Sequence, residues 1–508
     1  MCQSIGIRRA QRTAHQRRAL CLGGNPLLVG GTRHRCGDPR VSSPAPLYSQ
    51  AYRRWMMTLL IGVYASSSLD RLILATLAQA MKRDLMITDF KFGLLSGIVF
   101  AVLYTLAGIP IGQLADRKRR VPILAIAIAV WSGMTALSAL AASYVQLMVV
   151  RIGVSLGEAA CSPVSYSLLS DQYPSRSRAG AVAILGLGVP LGAMTGAVLG
   201  GWASETIGWR YAFVIAGVPG LVLALLVFLT LREPPRGSFD PPAVRDAAAP
   251  PFAMVVRRIL SKRAYLHLMM VAALCIFCNT ALNLFIPSFF VRVHGLGQFE
   301  AGKYFGAMIG IGAAIGTTGL GLLIGRIARR DPRWYGWAPG LVMICGVPLY
   351  LIAFSTSDFT LCYALLFIAT CIGFAFLGPV VGATQNMMEP RMRASGAAIL
   401  LVAMHLVGGG LGPTFIGWAS DVLAARAFGP GYAAACPAGL PPVGAAQALT
   451  DACRHASATG LREALMVTVF FFLWGAFHCF VATRTLRDDL IVADAPPSPT
   501  HPAIAESA

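Results

Sequence analysis

The sequence predicts an all-α membrane protein: twelve spanning helices in two bundles of six. Three observations lead there. The 508 residues have a mean hydropathy of +0.65 and only 13% charged side chains, about half the charge of an ordinary soluble domain. Twelve apolar windows of about 20 residues each meet the length needed to cross a bilayer. One long interior break, 232–262, rich in Pro, Ala and charge, divides them six and six.

The elements follow in order. Residues 1–51 hold eight Arg and three Cys without apolar periodicity. The stretch from Leu20 to Gly31 is too broken for a secretory core. This segment is read as a disordered extension or a misassigned start, with Met56 or Met57 as the initiator. The expected spans are 55–80, 90–113, 121–141, 145–169, 180–203 and 211–231, making an N-terminal unit of 52–231. A linker, 232–262, precedes the spans 264–291, 299–326, 335–355, 358–384, 395–421 and 463–484, in a C-terminal unit of 263–484. A tail, 485–508, is expected to be disordered. Within the linker, Phe252, Val255, Val256, Ile259 and Leu260 recur at helical spacing opposite Arg257, Arg258 and Lys262, which suits a helix lying on the membrane surface.

Charge sets the orientation. With the N-terminus inside, inner segments carry about 23 Lys and Arg and outer segments about 9 from Arg53 onward, as the positive-inside rule requires. Both termini are therefore expected in the cytoplasm, in a cell inner membrane. The net charge of +20 does not indicate nucleic acid, because the bases are scattered through short loops instead of forming one face. The outer loop 422–462 holds Cys436 and Cys453 in a compartment where disulfides persist, so these two are expected to pair. Cys275 and Cys278 lie inside a span and read as packing thiols.

Ionisable groups within a span are costly and usually functional. Asp70 and Arg71 follow Ser66-Ser67-Ser68 in the first helix. Arg151 and Glu158 are seven residues apart, on one face of the fourth. Two readings stand. These groups are either ion pairs that hold helices together or a switch in which an acid exchanges protons. Burial favours a neutral carboxyl and a nearby guanidinium favours a charged one, so an Arg that changes partners would load or unload a proton.

The segment Gly112-Gln-Leu-Ala-Asp116-Arg117-Lys-Arg-Arg120 lies between two spans. Its bases alone would make a plain topogenic signal. Gly112 and Asp116 suggest more: a gate loop that anchors helix ends across the two halves. Gly188, Pro190 and Gly192, continued by Gly196 and Gly200, predict a tightly packed and bent fifth helix. Gly408-Gly-Gly410, Gly412 and Pro413 repeat the pattern in the eleventh, as expected for internal repeats with a site between them. Polar candidates for a mid-membrane cavity are Tyr104, Trp131, Asn279, Asn283 and His405, with Gln385 and Asn386 nearer a helix end.

The segment from Gly112 to Arg120 resembles the signature of the major facilitator superfamily, although Arg119 stands where a Gly is usual and Val121 where a base is usual. Leu69-Asp70-Arg71, Arg151-x-Gly153-x-x-x-Gly157-Glu158-Ala159 with Pro163, Asp171-x-Tyr173-Pro174, Gly208-Trp209-Arg210 and Ser420-Asp421 are similar to its Spinster-like branch. The resemblance covers about residues 52–490. It implies alternating access between two six-helix bundles, with Asp70, Arg71 and Glu158 as the proton and substrate switch. It further implies small-molecule cargo, protons and the lipid bilayer as partners, with a monomer as the working unit. Spinster-like relatives move amphipathic lipids, so an amphipathic or organic anion is the expected cargo. The organic-anion:cation symporter branch shares the Asp-Arg and Gly-Glu-Ala elements and is the closest alternative; a non-transporting receptor on the same fold is another. No ATP-binding motif, cofactor motif or metal-ligand spacing is present in the sequence, so an enzyme is not expected.

Overall fold

The computed structural model describes residues 48–238, 251–389 and 392–490. The expected extension up to residue 47, linker residues 239–250 and the tail from 491 lie outside them. Twelve helices are long and apolar enough to span a membrane: α1 (Gln50–Leu85), α2 (Asp89–Arg117), α3 (Arg120–Leu140), α4 (Tyr144–Ser170), α5 (Gly180–Thr206), α6 (Trp209–Thr230), α7 (Arg263–His294), α8 (Gln298–Ala328), α9 (Trp334–Ser355), α10 (Phe359–Asn386), α11 (Ser395–Phe428) and α12 (Gln447–Ala482). Helices α1–α6 form one bundle and α7–α12 the other. The even number of spans brings Gln50 and Ala482 to one face, termed here the terminal face; the opposite one is the far face.

Apolar length explains the helices, and glycine explains how closely they approach. In α5, a Cβ on Gly188 would stand 2.6 Å from the carbonyl oxygen of Ile61, and one on Gly196 2.6 Å from that of Leu69; a Cβ on Gly192 would overlap the Ala65 carbonyl. These glycines recur every four residues, so one bare face of α5 lies directly on α1. Helix α11 uses the same device on α7, where Gly408 meets Ala273 and Gly412 meets Phe277. The internal repeat is thus visible in packing.

Several spans are interrupted. Helix α4 loosens at Ala159–Ala160, immediately after Glu158, because Pro163 cannot donate to the Ala159 carbonyl. In α5 the break falls at Leu187, before Gly188. Pro190 cannot donate to the Gly186 carbonyl, just as Pro163 cannot donate to that of Ala159, so the break coincides with the lost bond. Helix α11 widens into π-helical turns over Ala403–Leu411, ahead of Gly412 and Pro413.

Three boundaries differ from expectation. Helix α12 starts at Gln447, not 463; its first turns are polar and escape an apolar window. The outer connection shrinks accordingly, and the disulfide ties its Cys436 to Cys453 in the second turn of α12. The chain after α12 is not wholly a tail: Leu486–Asp489 is helical, and Asp489 accepts the Ala264 N–H at 2.8 Å. Beside it, Asp331 accepts the Arg333 N–H and pairs with Arg487 at 2.9 Å, which together hold its carboxyl below the usual carboxylate range. The surface helix Phe252–Ser261 is present; Val255 and Ile259 are buried, while Phe252 and Leu260 remain exposed.

Candidate functional site

Four ionisable groups meet inside the N-terminal bundle. Asp70 of α1 pairs with Arg151 of α4 at 2.9 Å and accepts the Thr135 hydroxyl of α3 at 2.7 Å. The next residue, Arg71, points away from Asp70 and pairs with Glu158 of α4 at 2.7 Å. Two neighbouring residues of α1 thus address two residues of α4 that are seven apart. Each charge is compensated, as burial demands. The two pairs differ in exposure: the Glu158 side chain is 0% exposed, whereas Arg71 is 35% exposed. Arg71 is the polar outlet of an otherwise closed cluster.

That outlet opens into a cavity of about 360 Å³ between the bundles. Arg71 lies over the faces of Phe100 and Tyr104, 5.2 Å from each ring centre, a geometry that orients a cation without neutralising it. His405 of α11 stacks on Tyr104 at 5.3 Å. Its Nδ1 faces the Leu401 carbonyl at 2.9 Å, so Nδ1 carries a proton and donates it there. Ser68, Thr280 and Asn283 add polar groups, and Leu72, Leu74, Val189, Ile276 and Leu284 supply an apolar wall.

Tyr104, Asn283 and His405 are therefore cavity residues. Trp131 and Asn279, anticipated beside them, are not. Trp131 is 1% exposed and buried in the N-terminal core, with its backbone against Gly157. Asn279 turns inward and donates to the carbonyls of Cys275 and Gly373. One helical turn separates Asn279 from Asn283, but their surroundings differ.

The gate segment is less of a loop than its sequence suggests. Helix α2 continues through Gly112 and Asp116 to Arg117, and only Lys118 and Arg119 connect it to α3. Asp116 and Arg117 are exposed, and no atom lies within 4 Å of a Cβ placed on Gly112. Arg120 does not bridge the halves. It is buried and binds Asp171, Glu233 at 2.8 Å, Ser167 Oγ at 3.0 Å and the Pro234 carbonyl at 2.8 Å. It ties α3 and α4 to the chain leaving α6.

An ion-pair cluster that bridges the halves lies on the far face; from sequence, Ser420-Asp421 entered only through a resemblance, and Asp89 and Arg292 were not singled out. Asp89, in the first turn of α2, binds Lys82 at 2.5 Å and Arg292 of α7 at 2.7 Å, and accepts the Ser420 hydroxyl of α11 at 2.8 Å. Asp421 accepts the N–H groups of Asp89 and Phe90 at 3.1 and 2.8 Å. Gln79 bonds Ser288 and Arg292 across the same seam. Among the described residues, no ion pair joins the bundles at the terminal face. Among the described residues, ion pairs latch the far face and not the terminal face.

Comparison with known proteins fits this geometry. Residues 59–413 match the Major Facilitator Superfamily. The chain is 31% identical over 355 residues to an MFS-type efflux pump of Mycolicibacterium smegmatis, covering 70% of this chain and 81% of the pump. It is 25% identical over 372 residues to the sphingosine-1-phosphate transporter SPNS2 of Danio rerio, covering 70% and 73%. A bacterial homolog of the human lysosomal transporter Spinster, solved inward-facing and unoccupied, matches with a TM-score of 0.80 and 33% identity, over 88% of this chain and all of that one. The chain belongs to the major facilitator superfamily of multi-pass membrane transporters. Within that superfamily it is Spinster-like. The fold and its relatives are those of transporters of small molecules, not of enzymes.

Proposed function

We propose that the protein is a proton-coupled secondary transporter that carries an amphipathic or organic anion by alternating access. One observation carries the reading: a cation one-third exposed to the cavity, Arg71, is held by a fully buried acid, Glu158. An anionic cargo at Arg71 competes with Glu158 for the same guanidinium. Once released, a buried carboxylate takes up a proton to avoid standing alone in a low dielectric. Cargo binding and proton binding are then linked through one side chain. The apolar wall and the ring pair of Tyr104 and His405 suit a cargo with a hydrocarbon part, in keeping with the sphingosine-1-phosphate named for one relative.

Asp70 and Arg151, paired one step deeper, keep α1 and α4 in register. Gly112, Asp116 and Arg117 act at the terminal face as the gate when that face closes, and Arg120 holds α3 and α4 to the chain behind it. The positive-inside count makes this face cytoplasmic in a bacterial inner membrane, and a monomer is the working unit. The test is reconstitution of the protein and Glu158→Gln in liposomes with a panel of lysolipids and organic anions. Flux driven by a pH gradient in the native protein, and lost in Glu158→Gln, is the expected result. Unchanged flux in the variant would sink the coupling.

A further inference from the structure

We infer that Glu158 exchanges its proton with the terminal face along a path of hydroxyls inside the N-terminal bundle, through Ser162, Ser165 and Tyr64 to Tyr166. The inference rests on the coupling reading above. The obvious alternative is exchange through the cavity, but Arg71 stands between the cavity and Glu158, whose side chain has no exposed surface. A second route is needed for a group so enclosed.

The geometry of α1 and α4 supplies one. The helices run antiparallel, and their facing residues form two rungs. The first is Arg71 with Glu158 at 2.7 Å. The second is Tyr64 with Tyr166, ring centres 6.1 Å apart. Seven residues separate Tyr64 from Arg71 and eight separate Glu158 from Tyr166, so the rungs are roughly 10–12 Å apart and on the same faces. Between them stand Ser162 and Ser165, one and two turns beyond Glu158. The Ser162 hydroxyl stands near both Tyr64 and Tyr104. Tyr166 is 43% exposed and brings the series to the bundle surface.

Burial without pairing marks these groups. Glu158 Oε1 and Ser165 Oγ are enclosed and have no hydrogen-bond partner among the described residues, and the Tyr64 hydroxyl is enclosed with Ser162 and Tyr166 beside it. Each such atom costs about 1–3 kcal/mol if left alone. Polar atoms enclosed against their cost, on the stretch of α1 and α4 between the two rungs, suit a series that hydrates and conducts. The charged and titratable groups facing Glu158 are Arg71 and Asp70 of α1, Arg151 and Cys161 of α4, and Tyr104 of α2. None of them extends toward the terminal face as the hydroxyls do. Transfer along the series balances at every step. A hydroxyl or bridging water accepts one proton on a lone pair and releases its own to the next, so no relay group changes its charge; the proton comes from water at the terminal face and neutralises Glu158, and unloading returns it there.

Two assays on reconstituted protein separate the possibilities, with a cargo identified in the liposome screen. Gradient-driven uptake requires Glu158 to load and unload. Cargo-for-cargo exchange at equal pH on both sides does not. For Tyr64→Phe and Ser165→Ala, we expect uptake to fall about a hundredfold, the lower end of the usual contribution of a positioned proton-transfer group. Exchange should stay within about twofold, and Ser165→Thr should restore uptake. Glu158→Gln should abolish gradient drive in the same preparation. If Glu158→Gln does so while the hydroxyl variants change nothing, the path is refuted and the coupling stands. Equal loss of uptake and exchange in the hydroxyl variants would also refute it, because that is a structural effect. If Glu158→Gln keeps gradient drive, the coupling fails and the path fails with it.

Discussion

Asp421, near the end of α11, accepts the backbone N–H of Phe90, in the first turn of α2, at 2.8 Å. A carboxylate of one bundle therefore caps a helix of the other. A cap of this kind contributes about 0.5–2 kcal/mol, enough to bias a two-state equilibrium several-fold.

Asp421→Ala should release the far face. A cysteine at Asn283 in the cavity, in a background with the exposed Cys345 replaced by Ser, should be labelled from the far side about fivefold faster than in the parent, which is roughly 1 kcal/mol. Unchanged labelling would leave the latch to Asp89, Arg292, Ser420 and Gln79.

The same spacing occurs at the other face. Gly417 and Asp421 are four residues apart, as are Gly112 and Asp116. Gly417 lies against the Asp89 carbonyl, whereas Gly112 touches nothing. If Gly112 packs only when the terminal face closes, Gly112→Val should fold with normal thermal stability and still lose most of its transport. A variant that transports normally would show that no close approach occurs there.

Gly192→Val should behave in the opposite way. Its Cβ would overlap the backbone of Ala65, which cannot rotate aside, and overpacking typically costs about 1–3 kcal/mol. A lower melting temperature and a smaller monodisperse yield are expected. Gly186→Ala, where no neighbour lies within 4 Å, should be silent in both measurements.

Arg71→Ala leaves Glu158 buried beside a missing partner. Breaking a buried pair costs about 3–5 kcal/mol, less here because Arg71 is partly exposed. Arg71→Ala/Glu158→Gln should recover most of the stability without recovering gradient-driven flux. A double variant as unstable as Arg71→Ala would mean that the loss came from the packing of Arg71 on Phe100 and Tyr104.

Removing the Cys436–Cys453 link should lower the melting temperature and leave flux intact. A loop of this length is tightened by about 3 kcal/mol in the chain-entropy account. Impaired transport in Cys436→Ser/Cys453→Ser would give the outer connection a part in gating.

The fold was legible because a bilayer imposes a length and an apolar composition that few other environments require. Asp70, Arg71, Arg151 and Glu158 were legible for the same reason: no solvated loop accounts for them. Their pairing was not, since adjacent Asp70 and Arg71 point to different partners and only the orientation of α1 decides which. Tyr104 and Trp131 look alike as aromatic residues in apolar runs. What separates them is Gly157, which draws α3 against α4 and closes over Trp131. The far-face latch was hidden because Asp89, Arg292 and Asp421 sit near helix ends, where charge is ordinary. The polar start of α12 was hidden because an apolar window ends where the helix leaves the lipid.

The bare face of α5 against α1 has a mechanical meaning. With backbone on backbone, no side chain is left to rotate, slide or compress between them, and the pair must move as one stiff beam. The same holds for α11 on α7. Strain from a cargo at Arg71 cannot be absorbed locally by these joints. It is passed along the beam as by a lever, and its far arm ends where Asp421 and Arg292 grip the first turn of α2.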